Sequence, residues 1–249
     1  MKAGWRAEPR FLSLEERIKH ALVPPKLYLW DLARRRMRNG EKELRLLESL
    51  VDPGRVAIDV GANKGVYSYW LSRICREVLA FEPNPKMYSL LARAVPANVR
   101  TFEVALSDRD GTAELILPVQ RSGRFSNQGA TLQPRKLDGG KEFAVWPVEQ
   151  RRLDSCDVRD VAFIKIDVEG FEIEVLEGAR ATLARERPVL LVEIDEQHSK
   201  RPVAEAIATT EAYGYDCYYV SRSSLRHYSG FAADRGRTHT DNFVFFPVG

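Results

Sequence analysis

Short apolar runs alternate along most of this sequence with longer stretches in which apolar residues return every three or four positions. The short runs predict buried strands, and the longer spacing predicts amphipathic helices. In the stretch 66–75, for example, Tyr67, Trp70, Leu71 and Ile74 form one apolar stripe, which indicates packing against a core. From residue 51 onward, the pattern predicts strands at 55–59, 77–81, 99–105, 162–166, 189–194, 216–221 and 242–246, and helices at about 66–75, 84–95, 171–185 and 202–213.

The alternation also predicts the class of fold. Strands that alternate with helices form βαβ units, and the crossovers in such units make neighbouring strands parallel. We therefore expect an α/β fold with a mostly parallel sheet and helices on both of its faces.

Two parts of the chain do not follow the alternation. Residues 1–50 are predicted to form a helical extension to the main domain of residues 51–249, and they carry 12 Lys and Arg against 7 Asp and Glu. The run Arg34, Arg35 and Arg36 is a solvated helix face, a contact for an anionic acceptor carrier, or a dimer surface. Residues 107–155 are predicted to form inserted hairpins and a long loop, which either covers a site or is a surface loop.

Composition and charge narrow the class of protein. With 249 residues, 44% hydrophobic and 29% charged positions and a mean hydropathy of −0.33, the chain is typical of a globular protein. Its first residues form no apolar leader, and its aliphatic runs are far shorter than the roughly 20 residues that span a bilayer. Cys75, Cys156 and Cys217 are odd in number and far apart, which disfavours a disulfide framework and a zinc site. We expect a cytoplasmic protein without a membrane span.

The sequence I-D-V-G-A-N-K-G at 58–65 joins a predicted strand to a predicted helix. Glycine permits the unusual backbone angles of such a turn and the close approach of a ligand. Free N–H groups at a helix start can hold an anionic group such as a carboxylate. A nucleotide-type cofactor is therefore expected here, with the loop amides, Ala62 among them, facing its anionic end.

Glu82 ends the second predicted strand, 21 residues after Gly61. That spacing is close to the about 20 residues at which an acidic side chain meets the ribose of a bound nucleotide. The loop lacks the middle glycine of G-x-G-x-x-G, so it makes no provision for close contact with a pyrophosphate. The pattern favours S-adenosylmethionine, an adenosine cofactor without phosphates. Glu82 would contact its ribose, and Ala105, Leu106 and Ser107 its adenine.

Acidic residues follow the fourth and fifth predicted strands, whose ends face the same crevice. Glu172 and part of the role of Glu169 fit the capping of a helix. Methyl transfer to an alcohol requires that the acceptor lose its proton, which a carboxylate or an imidazole can take. Glu169 and His198 are candidate bases, and Glu193 would orient the base or share its role. Oxygens of Asp167, Glu169 and Glu193 could instead hold Mg²⁺ or Ca²⁺, although no metal is expected.

The chain resembles the FkbM family of S-adenosylmethionine-dependent methyltransferases over about residues 41–221. The resemblance rests on motifs that occur in order: I-D-V-G-A-N-K-G at 58–65, F-E-P-N-P at 81–85, A-L-S-D at 105–108, R-R-L-D-S at 151–155, I-K-I-D-V-E-G at 164–170 and L-V-E-I at 191–194. It implies a seven-stranded Rossmann-like sheet and methyl transfer to a hydroxyl of a sugar, a glycan or glycolipid, or a natural-product intermediate. It also implies a place for Asp167 near the transferred methyl group. The cofactor-binding residues that it implies are Asp59, Gly61, Asn63, Gly65, Ser68, Glu82 and Asn84.

Three other functions stay open at this point. A nicotinamide oxidoreductase would need G-x-G-x-x-G, which the loop lacks. A nucleic-acid methyltransferase is favoured only by the basic N-terminal region and a pI of 8.7. A binding module could keep the fold without the chemistry. The whole pattern favours an O-methyltransferase whose acceptor is a small molecule or glycan with a free hydroxyl, with a homodimer as one possible assembly.

Overall fold

The computed structural model describes residues 22–119, 131–132, 142–199, 201–221, 224–234 and 240–249. Within these ranges the strands are β1 (Val56–Val60), β2 (Glu77–Phe81), β3 (Val99–Phe102), β4 (Ala105–Leu106), β5 (Gly111–Val119), β6 (Glu142–Arg151), β7 (Val161–Ile166), β8 (Val189–Glu193), β9 (Tyr215–Ser221), β10 (Ser224–His227) and β11 (Asn242–Pro247). The α-helices are α1 (Pro25–Asn39), α2 (Leu47–Leu50), α3 (Val66–Leu71), α4 (Pro85–Ala94), α5 (Glu172–Glu177), α6 (Arg180–Glu186), α7 (Glu196–Ser199), α8 (Val203–Glu211) and α9 (Phe231–Asp234). Short 3₁₀ helices occupy Lys42–Leu46, Leu153–Cys156 and Tyr228–Gly230.

The larger of two sheets has the strand order β10-β9-β11-β8-β7-β1-β2-β3. The five neighbouring strands β8, β7, β1, β2 and β3 are parallel to one another. Strand β11 is antiparallel to both of its neighbours, β8 and β9. The chain leaves β1 for β2 on one side and reaches β7 on the other, so the strand order reverses at β1. In open parallel sheets the carboxyl ends of the strands at such a reversal form a crevice for ligands.

Both faces of this sheet are buried under helices. All five residues of β1 and all six of β7 are buried, which is typical of parallel strands covered on both sides. Ile58 packs in one core with residues of α5, α6 and α8, while Ala57 packs in the other with residues of α2, α3 and α4. The predicted α/β fold with a mostly parallel sheet and helices on both faces is confirmed.

The sheet has eight strands in the described ranges where seven were expected. The additional strand, β10, pairs antiparallel with β9 at the edge of the sheet. Only Leu225 of its four residues is partly buried, and the other three are exposed. A strand with one partly buried residue has no apolar alternation, so the sequence pattern did not reveal it.

Two predicted elements are divided in the structure. The strand predicted at 99–105 ends at Phe102, and Ala105–Leu106 pairs instead with β6 in the smaller sheet. The helix predicted at 171–185 is interrupted between α5 and α6 at Gly178. A Cβ on Gly178 would lie 1.9 Å from the backbone oxygen of Ser107. The backbone at Ser107 therefore comes so close to the interruption that only glycine fits there.

The insertion forms a second, three-stranded sheet of order β4-β6-β5. Strands β5 and β6 pair antiparallel from Gly111 with Gln150 to Val119 with Glu142. Thr131 forms a bridge with Ile116. The rest of the predicted loop, 120–130 and 133–141, lies outside the described residues.

The basic N-terminal segment packs against the sheet domain from residue 25 onward. Leu29 and Ala33 of α1 are buried against Tyr69 and Ala94, and the Trp70 indole N–H donates to the Ala33 carbonyl at 3.2 Å. Residues of 44–51 are buried in the same core as Ala57. Within the described ranges, every helix is too short or too polar to span a bilayer.

Substitution of Leu29 tests whether α1 is part of the cooperative fold. Leu29 is 1% exposed, whereas Leu27 on the same helix is 51% exposed. We expect Leu29→Ala to lower the free energy of unfolding by about 2–5 kcal/mol, because it leaves a cavity. Leu27→Ala should change it by less than about 0.5 kcal/mol. Urea titrations measure both, and equal effects would show that α1 does not pack as described.

Candidate active site

The carboxyl ends of four neighbouring strands bring one row of residues together. The pairings of β2, β1, β7 and β8 run in register to the last residues of these strands. The row at or directly after the strand ends is therefore Glu82, Gly61, Asp167 and Glu193. Residues far apart in the sequence become neighbours at the crevice that the fold predicts for a ligand.

A cavity of about 550 Å³ lies at this row. Its walls also include Leu32 and Arg36 of α1, and Leu115, Thr131 and Leu132 of the insertion. The ionisable carboxylates that line it are Glu41, Asp59, Glu82, Asp167, Glu169 and Glu193, and the cations are Arg36, Lys64 and Lys165. An excess of carboxylates favours a cationic ligand.

The glycine loop holds β1 close to the end of β7. Gly61 has a φ of +77°, and a Cβ at this position would lie 1.8 Å from the Asp167 carbonyl oxygen. The N–H groups of Gly61 and Ala62 both donate to the Phe81 carbonyl, at 2.9 and 3.0 Å. The N–H of Gly65 donates to the Ala62 carbonyl at 2.8 Å. These three amides all have partners within the protein. Their contact with the anionic end of the cofactor stays a prediction.

Glu82 is held in a fixed position at the end of β2. Its two carboxylate oxygens accept the N–H groups of Asn63, at 2.7 Å, and Asn84, at 2.8 Å. Burial raises the pKa of Glu82 to about 7, against the effect of these two hydrogen bonds. The carboxylate therefore faces the cavity with a defined orientation and retains lone pairs for a ligand.

Asp59 lies deeper in the site. Its carboxylate accepts the Ser68 hydroxyl at 2.5 Å, and both side chains are buried. Burial raises the pKa of Asp59 to about 6, while the Ser68 hydrogen bond and the charge of Lys165 act in the opposite direction. The pair links the end of β1 to α3, with Asp59 in the cavity wall and Ser68 behind it.

Lys165 is the central charge of the site. It is 1% exposed, its ammonium lies 3.2 Å from the Asp167 carboxylate, and it lies over the Tyr67 ring at 4.9 Å from the ring centre. The Tyr67 hydroxyl donates to Glu41 from the N-terminal segment. Burial lowers the pKa of Lys165, but Asp167, Glu193 and Glu41 together outweigh it, so its pKa is raised. Lys165 therefore remains a cation among carboxylates.

Glu193 lies beside Asp167 in the row and is largely buried. Burial, followed by the charge of Asp167, raises the pKa of Glu193 to about 8, and a hydrogen bond to Asp167 contributes in the same direction. The charge of Lys165 lowers it. A carboxyl group in this state can accept or release a proton near neutral pH.

The turn after β7 closes one side of the cavity. Glu169 has a φ of +54°, and its carbonyl accepts the Thr131 hydroxyl at 3.0 Å. The Glu172 carboxylate accepts the Gly170 N–H at 2.8 Å, and burial raises its pKa to about 7. Glu172 therefore supports the turn, while the insertion is bonded to it through Thr131.

The predicted site residues divide into two groups. The cavity wall includes Asp59, Gly61, Ala62, Asn63, Glu82, Asn84, Ala105, Leu106, Asp167, Glu169 and Glu193. Gly65, Ser68 and Ser107 lie behind the wall: Gly65 packs on Leu91, and the Ser107 N–H donates to the Arg151 carbonyl. His198 is on α7, and its side chain lies outside the described residues.

The Asn84 side chain, which the resemblance assigns to the cofactor, has a structural role. Its oxygen accepts the N–H groups of Lys86 at 3.0 Å and Met87 at 3.4 Å, which caps α4. Among the residues that the structure describes, no group of three or more His, Cys, Asp or Glu could hold a metal ion.

The cavity wall includes residues that were not predicted, among them Arg36, Glu41, Tyr67 and Lys165. Lys165 did carry a signal, because a lysine in the middle of an apolar strand must find a compensating charge. Tyr67 was taken only as part of an apolar stripe. The other two lie on a segment whose position depends on tertiary packing.

The sequence matches the family description "Methyltransferase FkbM domain" over residues 59–217. The chain belongs to the FkbM methyltransferase family. It is an S-adenosylmethionine-dependent O-methyltransferase, and the acidic wall of its cavity fits this cationic cofactor. As a member of an enzyme family, this FkbM methyltransferase is not a binding module without chemistry.

Three characterised relatives are similar to this FkbM methyltransferase. Methyltransferase sdnD of Sordaria araneosa is 26% identical over 193 residues, which cover 64% of this chain and 73% of that protein. The 2-O-methyltransferase NoeI of Sinorhizobium fredii is 27% identical over 169 residues, which cover 61% of this chain and 69% of that protein. The hexuronic acid methyltransferase AglP of Haloferax volcanii is 27% identical and covers 74% of each chain. A solved structure of methyltransferase FkbM from Methylobacillus flagellatus aligns with 90% of this chain and 55% of its own, at 12% identity and a TM-score of 0.49.

Gly61 and Gly54 offer a matched pair of substitutions for the glycine loop. Both have positive φ, +77° and +79°, but a Cβ on Gly54 would meet nothing within 4 Å. We expect Gly54→Ala to cost about 1–2 kcal/mol of folding free energy from backbone strain alone. Gly61→Ala should cost about 1–3 kcal/mol more, because the methyl group collides with the Asp167 carbonyl. It should also weaken S-adenosylhomocysteine binding, whereas Gly54→Ala should not. Urea titration and calorimetry measure these effects, and equal results for the two variants would contradict the close approach.

Proposed function

We propose that this enzyme methylates a hydroxyl group of a sugar or glycan and that Glu193 takes the proton of that hydroxyl. The observation that carries the proposal is the row at the strand ends. Asp167 pairs there with the buried ammonium of Lys165 at 3.2 Å, and Glu193 lines the same cavity together with Glu82. A cofactor pocket and a proton-accepting group therefore lie in one site.

The names of two relatives support this class of acceptor. One relative is a 2-O-methyltransferase and another is a hexuronic acid methyltransferase, so an oxygen acceptor and a sugar acid are both represented. The insertion lines the cavity with Leu115, Thr131 and Leu132, and we assign the acceptor to the side of the cavity that these residues form. The fixed carboxylate of Glu82 and the apolar Ala105 and Leu106 would hold the nucleoside part of the cofactor.

Bound S-adenosylmethionine supplies an electrophilic methyl group on a sulfonium. The protein must hold the acceptor oxygen in line with that group and remove its proton as the new bond forms. A base is most effective when its pKa lies near the working pH. Glu193, with its pKa raised to about 8, meets that condition, and a Glu193 carboxylate oxygen would receive the proton.

Lys165 and Asp167 position the base in this proposal. The ammonium of Lys165 lies 3.2 Å from Asp167 and compensates the charge of the carboxylate pair. Its charge keeps the pKa of Glu193 lower than burial alone would make it. Without a buried cation, the repulsion between two adjacent carboxylates would raise the pKa of one of them further and make it a poorer base at neutral pH.

We further propose a reducing compartment, the cytoplasm, for this reaction. Cys75, Cys156 and Cys217 all lie in the described ranges as free thiols. Burial raises the pKa of each of them, so they are poorly reactive and fit a structural role.

The role of Glu193 is tested against Glu169, the other carboxylate that lines the acceptor side. We expect Glu193→Gln to lower kcat about 10²–10⁴-fold, the usual contribution of a positioned base. S-adenosylhomocysteine affinity should change little, because the substitution leaves the ribose contact intact. In the wild type, kcat/KM should rise with pH through about 8, since only the deprotonated carboxylate accepts a proton. Transfer of labelled methyl groups to neutral hexoses and hexuronic acids, free and in oligosaccharides, measures these rates.

Glu169→Gln is the matched control for this experiment. It removes a carboxylate from the same cavity without touching the Asp167 pair. If Glu169→Gln abolishes the pH dependence and Glu193→Gln retains it, the base is Glu169 and the assignment to Glu193 is wrong.

Substitution of Lys165 tests its positioning role. Lys165→Met removes the charge that lowers the pKa of Glu193, so the rise of kcat/KM should move to higher pH. Lys165→Arg keeps the charge and should return the profile toward that of the wild type. Circular dichroism confirms that each variant is folded. If Lys165→Met lowers kcat/KM by the same factor at every pH, the role of Lys165 is purely structural and the positioning role is wrong.

A further inference from the structure

The three arginines in a row on α1 have different surroundings. The Arg34 guanidinium lies over the Trp30 ring at 4.8 Å from its centre, and Arg35 forms an ion pair with Asp31 at 2.7 Å. Arg36 lines the cavity. In the described part of the chain, the Arg36 guanidinium forms no ion pair with a carboxylate. Arg36 is therefore the arginine of this run that lies at the active site.

The position of Arg36 follows from the packing of α1. Leu29 lies 3.7 Å from the point where a Cβ on Gly65 would be, next to the start of α3. Residues at i, i+3, i+4 and i+7 share one face of a helix, so Leu32, Ala33 and Arg36 continue the face of Leu29. This face reaches the cavity beside the glycine loop.

Four amides of the glycine loop are already engaged within the protein. S-adenosylmethionine carries a carboxylate on its methionine end, and a buried carboxylate needs hydrogen-bond donors or a cation. The N–H groups of Gly61, Ala62, Asn63 and Gly65 are already donated to partners within the protein. Lys165 is engaged by the carboxylates at the strand ends.

We propose that Arg36 of the N-terminal helix binds the carboxylate of the cofactor's methionine end. A guanidinium offers two parallel donors that match a carboxylate. The N-terminal segment is then a part of the cofactor site that lies outside the matched family region, 59–217. The assignment does not depend on the identity of the acceptor or of the base.

Calorimetry with two ligands tests the contact without any acceptor. The ligands are S-adenosylhomocysteine and S-adenosyl-3-thiopropylamine, which differ by the carboxylate alone. The wild-type chain should bind the first about 10- to 100-fold more tightly, the range expected for a hydrogen-bonded charge. Arg36→Gln should lose this difference by weakening S-adenosylhomocysteine binding, while the affinity for the decarboxylated ligand stays the same.

Arg35→Gln is the matched control, because it removes the same charge one residue away on the same helix. It should retain the full preference for the carboxylate. If Arg36→Gln retains the preference, or if Lys64→Gln rather than Arg36→Gln removes it, the assignment is wrong. If neither ligand binds the wild-type chain, the cofactor assignment itself fails, whereas a failure of the acceptor or base proposal leaves this measurement unaffected.

Discussion

A single buried cation organises the candidate site. Lys165 lies near the end of a strand whose six residues are all buried, so its charge must be compensated by neighbouring groups. Asp167 directly follows that strand, and Glu193 ends the next strand in the sheet. Glu41 acts from the N-terminal segment, where its carboxylate accepts the Tyr67 hydroxyl. The requirement to neutralise one ammonium thus ties together elements that are remote in the sequence. The same arrangement produces a carboxyl group that can exchange a proton near neutral pH.

The glycine loop in this protein serves mainly to bring backbones together. Gly61 permits contact with the Asp167 carbonyl, and the loop amides are used to bond β1 to β2 and to orient Glu82. Each of these amides already has a partner within the protein, so the loop has a fixed backbone. In the arrangement that we propose, a side chain of the helix before the sheet domain recognises the charged end of the cofactor.

Two peripheral segments close the cavity from opposite parts of the sequence. The helix α1 contributes Leu32 and Arg36, and the insertion contributes Thr131, which is bonded to the turn at Glu169. Neither segment belongs to the regular alternation of strands and helices. Both are attached to the sheet domain by particular contacts, among them the bond from Trp70 to Ala33. Attachments of this kind can vary between relatives while the sheet and its cofactor site stay the same.

The sequence by itself determined the α/β class, the parallel sheet and the position of Gly61, Glu82, Asp167 and Glu193 after strands. These features depend on local periodicity and on turn chemistry, which a sequence displays directly. The cofactor class followed from the same residues and from the family motifs. The tertiary structure alone decided that the loop amides are already bonded, that Asn84 caps a helix and that Lys165 is neutralised by Asp167, because each depends on the final position of a partner. It also decided that β10 joins the sheet by backbone pairing and that Arg36, and neither Arg34 nor Arg35, reaches the cavity. Those outcomes are set by contacts between distant segments, and no pattern within a single segment reports them.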